Sequence, residues 1–587
     1  MRWLRPWLLA AVLAAAASAC LAQSPPAGVA SAEQIALGRS IYLQGRLADG
    51  SPLQGQRHKQ DSVSGQTAAC VNCHRGSGLG SVEGNVAVPS ITGRALFGSA
   101  DAVVVRQDRR FDPGLSAPHA AYTPASLATA LRTGITPSGH TLGALMPRYT
   151  LGDNELQALV AYLSTLSAQW SPGAQADAVH VATVIAPGME SARRQAFLAT
   201  LQTLLTQMNG NVVSGQRQKL SAIERHMSVR RKLVLDVWQL EGPASTWQAQ
   251  LDERQQRHPV FAILSGLGGL EWQPVQDFCD ARQVVCWFPS LDLVPGQAAQ
   301  SAFSLYFGGG VRTEAAVMAA QAGASGARVV QVVGRDPLAQ AGAQALQQAL
   351  PTGQAQLLRA DQADIAQALQ ALRPQDQLMA WLGPNELPQL RTLPATVSQL
   401  LLSATLAGED AHALADTLPA AARLVQTLEL ADIRQANLAR FDAWQQGSQL
   451  PLHDRKMQSE VYFAARSLVS MLRGMLNNLY TPYLVERAEA TLGMFEAMQV
   501  QDEVQSRMMA PVNKRPQTAA DGTAPSPAAA PAQARSSALL ARLLQRGGTT
   551  MYPRLSLAPG QRLASKGAYL LPLHPVSTAA EPQWLTP

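Results

Sequence analysis

Residues 69–74 read Ala69-Cys70-Val71-Asn72-Cys73-His74, and this short stretch decides how the N-terminal part of the chain is understood. It contains C-x-x-C-H, the spacing by which c-type haem is attached. Two thiols one helical turn apart can each form a thioether with a haem vinyl group. The next residue, His74, then offers its imidazole to the iron as proximal ligand. A zinc site would want two further Cys or His ligands nearby, and the sequence has no second C-x-x-C. The expected cofactor is one covalent haem c, held by Cys70, Cys73 and His74.

Iron in an electron-transfer cytochrome takes a second axial ligand, commonly Met or His. Met146, in Gly143-Ala144-Leu145-Met146-Pro147, is the only methionine between Met1 and Met189. A lone Met is usually core filler, but this one follows a Gly/Pro-rich stretch, Arg132 to Gly139. It is the expected distal ligand, with His140 and His119 as the competing candidates.

The flanking sequence reads as helix. Ser31 to Gly45 places Ile35, Gly38, Ile41 and Tyr42 at helical spacing. After a start signal at Thr150 to Asp153, Leu156, Leu159, Val160 and Leu163 recur in the same way, with Tyr162 beside them. Close crossing at Gly38, against the Leu159/Tyr162 face, would enclose the haem edge.

On these residues, 31–168 resembles a class I c-type cytochrome: G-x-x-x-Y in the first helix, C-x-x-C-H, a Pro after the haem loop, M-P, and a terminal L-x-x-Y-L helix. The resemblance implies an all-α cytochrome domain, bounded here as 31–166. It also implies that a Pro carbonyl accepts the proximal imidazole N–H, and Pro89 is the matching position. The stretches Ser51 to Gln66 and Asp101 to Ala121 are longer than a minimal cytochrome needs.

Upstream, residues 1–22 read as a signal peptide. Arg2 and Arg5 precede the apolar stretch Leu8 to Ala19, and small residues follow. That stretch is short for a membrane span, which needs ~20 apolar residues. Ala17-Ser18-Ala19-Cys20 also resembles a weak lipoprotein box, making Cys20 a lipidation candidate. The expected location is the periplasm, with no transmembrane span in the mature chain.

Residues 167–178 lose periodicity and read as a linker. Over 179–510, short apolar runs such as Val179–Ala186, Val260–Leu264, Val284–Phe288 and Val329–Val333 alternate with amphipathic segments such as Ser191–Met208 and Gln273–Arg282. This alternation argues for parallel sheets wrapped by helices. The order of pieces resembles the type I periplasmic ligand-binding fold of branched-chain amino acid receptors. It is carried by His180–Ala186, Phe261-Ala-Ile-Leu-Ser265-Gly266, Cys286-Trp-Phe-Pro-Ser290 and Val329 to Asp336.

The fold class is therefore multidomain: an all-α cytochrome followed by a two-lobed α/β domain of the periplasmic-binding kind. The resemblance points to Ser265, Gly266, Ser290 and Asp292, with Tyr306 near the crossover, as candidate ligand-binding residues. Turn residues of the same types have no need of a ligand. Cys279 and Cys286 are expected to be bridged in an oxidising compartment. Residues 511–537 read as a disordered Pro/Ala-rich linker, and 538–587 as a segment returning to the α/β domain.

The chain has 587 residues, 47% hydrophobic and 15% charged, with net charge +6. Such composition excludes wholesale disorder and a small disulfide-stapled scaffold. The thin basic excess gives no argument for nucleic acid. The expected function is that of an electron carrier rather than an enzyme, with a periplasmic dehydrogenase and a downstream cytochrome or oxidase as redox partners. The alternative is a small-molecule receptor or redox sensor. A haem peroxidase is disfavoured because the sixth position is expected to be filled.

Overall fold

In a computed structural model of the protein, Ser31 opens the first helix, Ala32–Gln44. Its hydroxyl accepts from the Gln34 N–H while the Gln34 side chain accepts from the Ser31 N–H, a capping box. The helix stops at Gly45, left-handed at φ 61°, whose N–H returns to the Ile41 carbonyl. The structure describes residues 30–57, 61–83, 86–98, 120–216, 231–323, 328–350, 358–361, 365–393, 397, 399–418, 422–493, 550–553, 555–573 and 582–587. The signal peptide and Cys20, His119, most of the Asp101 to Ala121 stretch, and the linker at 511–537 all lie outside these residues.

The described residues fall into two compact units. The smaller lies within 1–74, 90–102 and 117–166, and the larger within 75–89 and 167–587.

In the smaller unit, the helices Ala32–Gln44 and Asp153–Thr165 cross at Gly38. A Cβ at Gly38 would lie 2.0 Å from the Ala158 carbonyl oxygen and 2.7 Å from the Tyr162 Cβ. Only a residue without a side chain permits that approach. The Tyr42 and Tyr162 rings sit 5.3 Å apart across the same crossing. A third helix, Pro124–Thr133, starts on Thr123 and Ser126 as reciprocal caps, with Pro124 inside its first turn. The unit departs from the all-α expectation. Gln54–Gln56 pairs antiparallel with both Ser62–Ser64 and Arg148–Thr150. Gln54–Gln56 and Ser62–Ser64 lie within the long Ser51 to Gln66 stretch, and short polar strands of this kind leave little periodicity to read.

The larger unit holds two sheets. In the first, Ser290–Leu291, Leu267–Gly268, Ala178–Ile185, Ala262–Leu264, Val285–Trp287, Ser304–Gly308 and Leu563–Ser565 lie side by side, and Lys232–Gln239 pairs with Ala178–Ile185. Every pairing in it is parallel. The second runs Leu358–Asp361, Val329–Val333, Gln377–Trp381, Gln399–Ser403, Ala422–Gln426, Ala568–Pro572, Gln583–Leu585. Its last two strands are antiparallel. Helices such as Ser191–Gln216, Gln273–Arg282 and Val311–Gly323 separate the strands in sequence, which is how parallel strands must be joined. Strands such as Ala178–Ile185, Val329–Val333 and Gln377–Trp381 are buried on both faces and so read as largely apolar runs. This is a two-sheet α/β fold. The segment 555–573 supplies a strand to each sheet, Leu563–Ser565 to the first and Ala568–Pro572 to the second.

Candidate haem-binding site

Val71–His74 forms one helical turn. The Cys70 carbonyl accepts from the Cys73 N–H at 3.3 Å and the His74 N–H at 2.9 Å. The Asn72 side chain closes the turn from outside by donating to the Gln66 carbonyl at 2.7 Å. This holds Cys70 and Cys73 three residues apart on a helical turn, with His74 following at once. Cys70 and His74 are buried, and Cys73 is partly exposed.

Cys70 belongs to an apolar cluster that includes Tyr42, Leu131, Tyr149, Leu159 and Tyr162. The Tyr149 hydroxyl donates to the Ala68 carbonyl at 3.0 Å, beside the motif. Burial pushes the Cys70 thiol up to about 12, with the neighbouring Cys73 adding to the rise. Among the described residues no group of three or more His, Cys, Asp or Glu gathers to hold a metal ion. The surroundings suit a flat apolar macrocycle bonded through neutral sulfur.

Met146 packs half-buried against that same cluster. Its loop is fastened by Arg148, which donates to the carbonyls of Met146 and, at 2.9 Å, Leu142. Gly134, left-handed at φ 81°, leaves room for the Arg148 guanidinium, which a Cβ would meet at 2.0 Å. His140, by contrast, is exposed. The donor set and its setting therefore fit a haem: Cys70, Cys73 and His74 would hold it, with Met146 as the second axial ligand. Pro89 is grouped with the larger unit and follows the hairpin Ser81–Glu83/Val86–Val88. The bend there needs Gly80, at φ +79°, where a Cβ would lie 2.8 Å from the Pro89 carbonyl oxygen.

Of the ligand-binding candidates in the larger unit, three come together. Ser290 donates its N–H to the Gly266 carbonyl at 2.8 Å. Ser265, buried and at φ 55°, has a hydroxyl without a partner among the described residues. Asp292 continues the same edge but is held by Arg193, at 2.9 Å and 3.1 Å. Tyr306 stands apart, buried with its hydroxyl on the Gln276 side chain at 2.8 Å.

Sequence reasoning missed the residues that meet Ser290. Glu460 accepts from Ser290, from Tyr552 and from Lys456, the last at 2.7 Å. Burial works against the Lys456 ammonium, but Glu460 and Tyr552 outweigh it and hold its pKa above the usual lysine range. Lys456 and Glu460 lie four apart on the helix Arg455–Met475. That i, i+4 pair on an amphipathic stretch was the available signal. Nothing local could have brought Tyr552 to them. Cys279, on the helix Gln273–Arg282, and Cys286, in the strand Val285–Trp287, are joined by a disulfide with Cα atoms 6.1 Å apart.

The described residues thus comprise a smaller unit that carries the C-x-x-C-H turn and a larger two-sheet α/β unit. Residues 64–167 match the family described as Cytochrome c, which implies covalently bound haem. No curated protein matches the chain significantly. Among solved structures, a possible leucine/isoleucine/valine-binding protein from Rhodopirellula baltica is 11% identical, covering 70% of this chain and 98% of its own, with a TM-score of 0.38. An extracellular ligand-binding receptor from Verminephrobacter eiseniae is 17% identical, covering 53% and 90%, with a TM-score of 0.33. An ABC-type branched-chain amino acid transporter from Rhodopseudomonas palustris is 14% identical, covering 53% and 84%, with a TM-score of 0.35.

Proposed function

We propose that the protein is an exported electron carrier working in the periplasm, whose single haem c is held by Cys70, Cys73, His74 and Met146 in a class I cytochrome domain. One observation carries this reading: the turn that presents Cys70 and His74 is buried in an apolar cluster against which Met146 also packs, while His140 is exposed. The haem would supply one-electron oxidation and reduction. With both axial positions filled from the chain, the site favours electron transfer over substrate chemistry at iron. A periplasmic dehydrogenase would be the donor and a downstream cytochrome or oxidase the acceptor. The export reading rests on residues 1–22.

The test is the reduced optical spectrum of the full chain beside the Cys70→Ala/Cys73→Ala variant. A c-type α-band in the first and its loss in the second support the proposal. Carbon monoxide binding to the native reduced protein would argue for an open iron position and against it.

A second reading, a receptor or redox sensor for a small molecule, draws on the buried, unpartnered hydroxyl of Ser265 beside Ser290. A ligand would raise the melting temperature of the full chain. A broad metabolite screen without a shift would count against it.

A further inference from the structure

The residues immediately after His74 are fastened by two carboxylates of the larger unit. Segment 75–89 packs in that unit although it follows the haem-binding turn directly in the chain. Ser77 is fully buried there. Its N–H donates to Oε1 of Glu486 and its hydroxyl to Oε2, both at 2.7 Å. Its carbonyl accepts from the Ser167 hydroxyl at 2.7 Å.

Two residues earlier, Arg75 stands at φ +66° and pairs with Oε2 of Glu489. The other Glu489 oxygen is held by Arg562 and by the Gly560 N–H, each at 2.9 Å. Glu486 and Glu489 lie three apart in the helical segment 481–493 and so share a face. Between the two contacts lies Gly76, where a Cβ would be in ordinary contact with Glu486 Oε1 at 3.5 Å. A non-glycine residue in the left-handed region costs about 1–2 kcal/mol. It persists where the surroundings over-determine it, and the two glutamates do so.

We propose that Glu486 and Glu489 are positioning residues for the haem ligand His74. By fixing 75–77 they set the backbone from which the imidazole of the adjoining His74 projects. The inference rests on Cys70–His74 being the haem site.

The test uses full-length, haem-loaded Glu486→Gln and Glu489→Gln, with Glu314→Gln as a change to a buried carboxylate elsewhere in the same unit. Three quantities are read: covalent haem by intact mass, midpoint potential, and the rate at which added imidazole replaces an axial ligand. The clamp variants should keep their haem, shift the potential and exchange about tenfold faster, the equivalent of one hydrogen bond to a charged group. Glu314→Gln should leave both haem readouts at wild type. Wild-type potential and exchange in both clamp variants, with only a lowered melting temperature, would overturn the proposal. Should those variants fail to fold, Ser77→Ala removes a single hydroxyl and decides by the same readouts. A wild-type chain without covalent haem would instead sink the functional reading, so the two failures are distinguishable.

Discussion

Gly38 lies so close to Ala158 that a Cβ would sit 2.0 Å from its carbonyl oxygen. The atom in the way is backbone, which cannot swing aside as a flexible side chain could. Gly38→Ala should therefore destabilise the smaller unit by about 3 kcal/mol, the upper end for overpacking. Urea denaturation followed at the haem absorbance would show it. An unchanged midpoint would mean that the two helices do not cross here.

The distal side offers a paired prediction. Met146→His should keep the colour but lower the reduction potential, because Met ligation raises it. His140→Ala, at an exposed position, should leave potential and spectrum alone. A change on losing His140, with none on replacing Met146, would reassign the ligand.

Stability should depend on pH through Glu314. This carboxylate is fully buried, accepting from Ser403 and from the Thr405 N–H and hydroxyl. Burial pushes its pKa up to about 7, against the lowering effect of those hydrogen bonds. The folded state thus holds the proton more tightly than the unfolded one. The contribution is fully present below about pH 4.5 and is lost as pH rises towards 7, a fall on the order of 3 kcal/mol. Glu314→Gln mimics the protonated form, so its stability should match wild type at pH 4.5 and exceed it at pH 8. Parallel stability curves for the two proteins would contradict this.

The disulfide closes a short loop, with Cys279 and Cys286 seven apart in sequence. A loop of that length should contribute about 2.5 kcal/mol by restricting the unfolded chain. Chemical denaturation of Cys279→Ala/Cys286→Ala against the oxidised protein measures it.

Much of this was legible in the chain. The C-x-x-C-H spacing points to one helical turn carrying both thiols, and Val71–His74 forms that turn. The Gly38 crossing followed from a small residue inside an apolar stripe. Buried parallel strands such as Val329–Val333 are largely apolar runs, and the structure keeps those bounds. The remainder depended on contacts distant in sequence. Tyr552 reaches Glu460 across 92 residues, and Ser77 reaches Glu486 across 409. No local periodicity encodes such pairings. The strands Gln54–Gln56 and Ser62–Ser64 were unreadable for a different reason, being three residues each and largely polar.

The central claim, a covalent haem on Cys70 and Cys73, is tested most directly by intact-mass measurement after acid–acetone extraction. The account predicts a mass raised by one haem, with the modification mapping to the peptide that holds both cysteines. Haem that leaves with the solvent, or a chain of unmodified mass isolated from cells able to attach haem c, would contradict it.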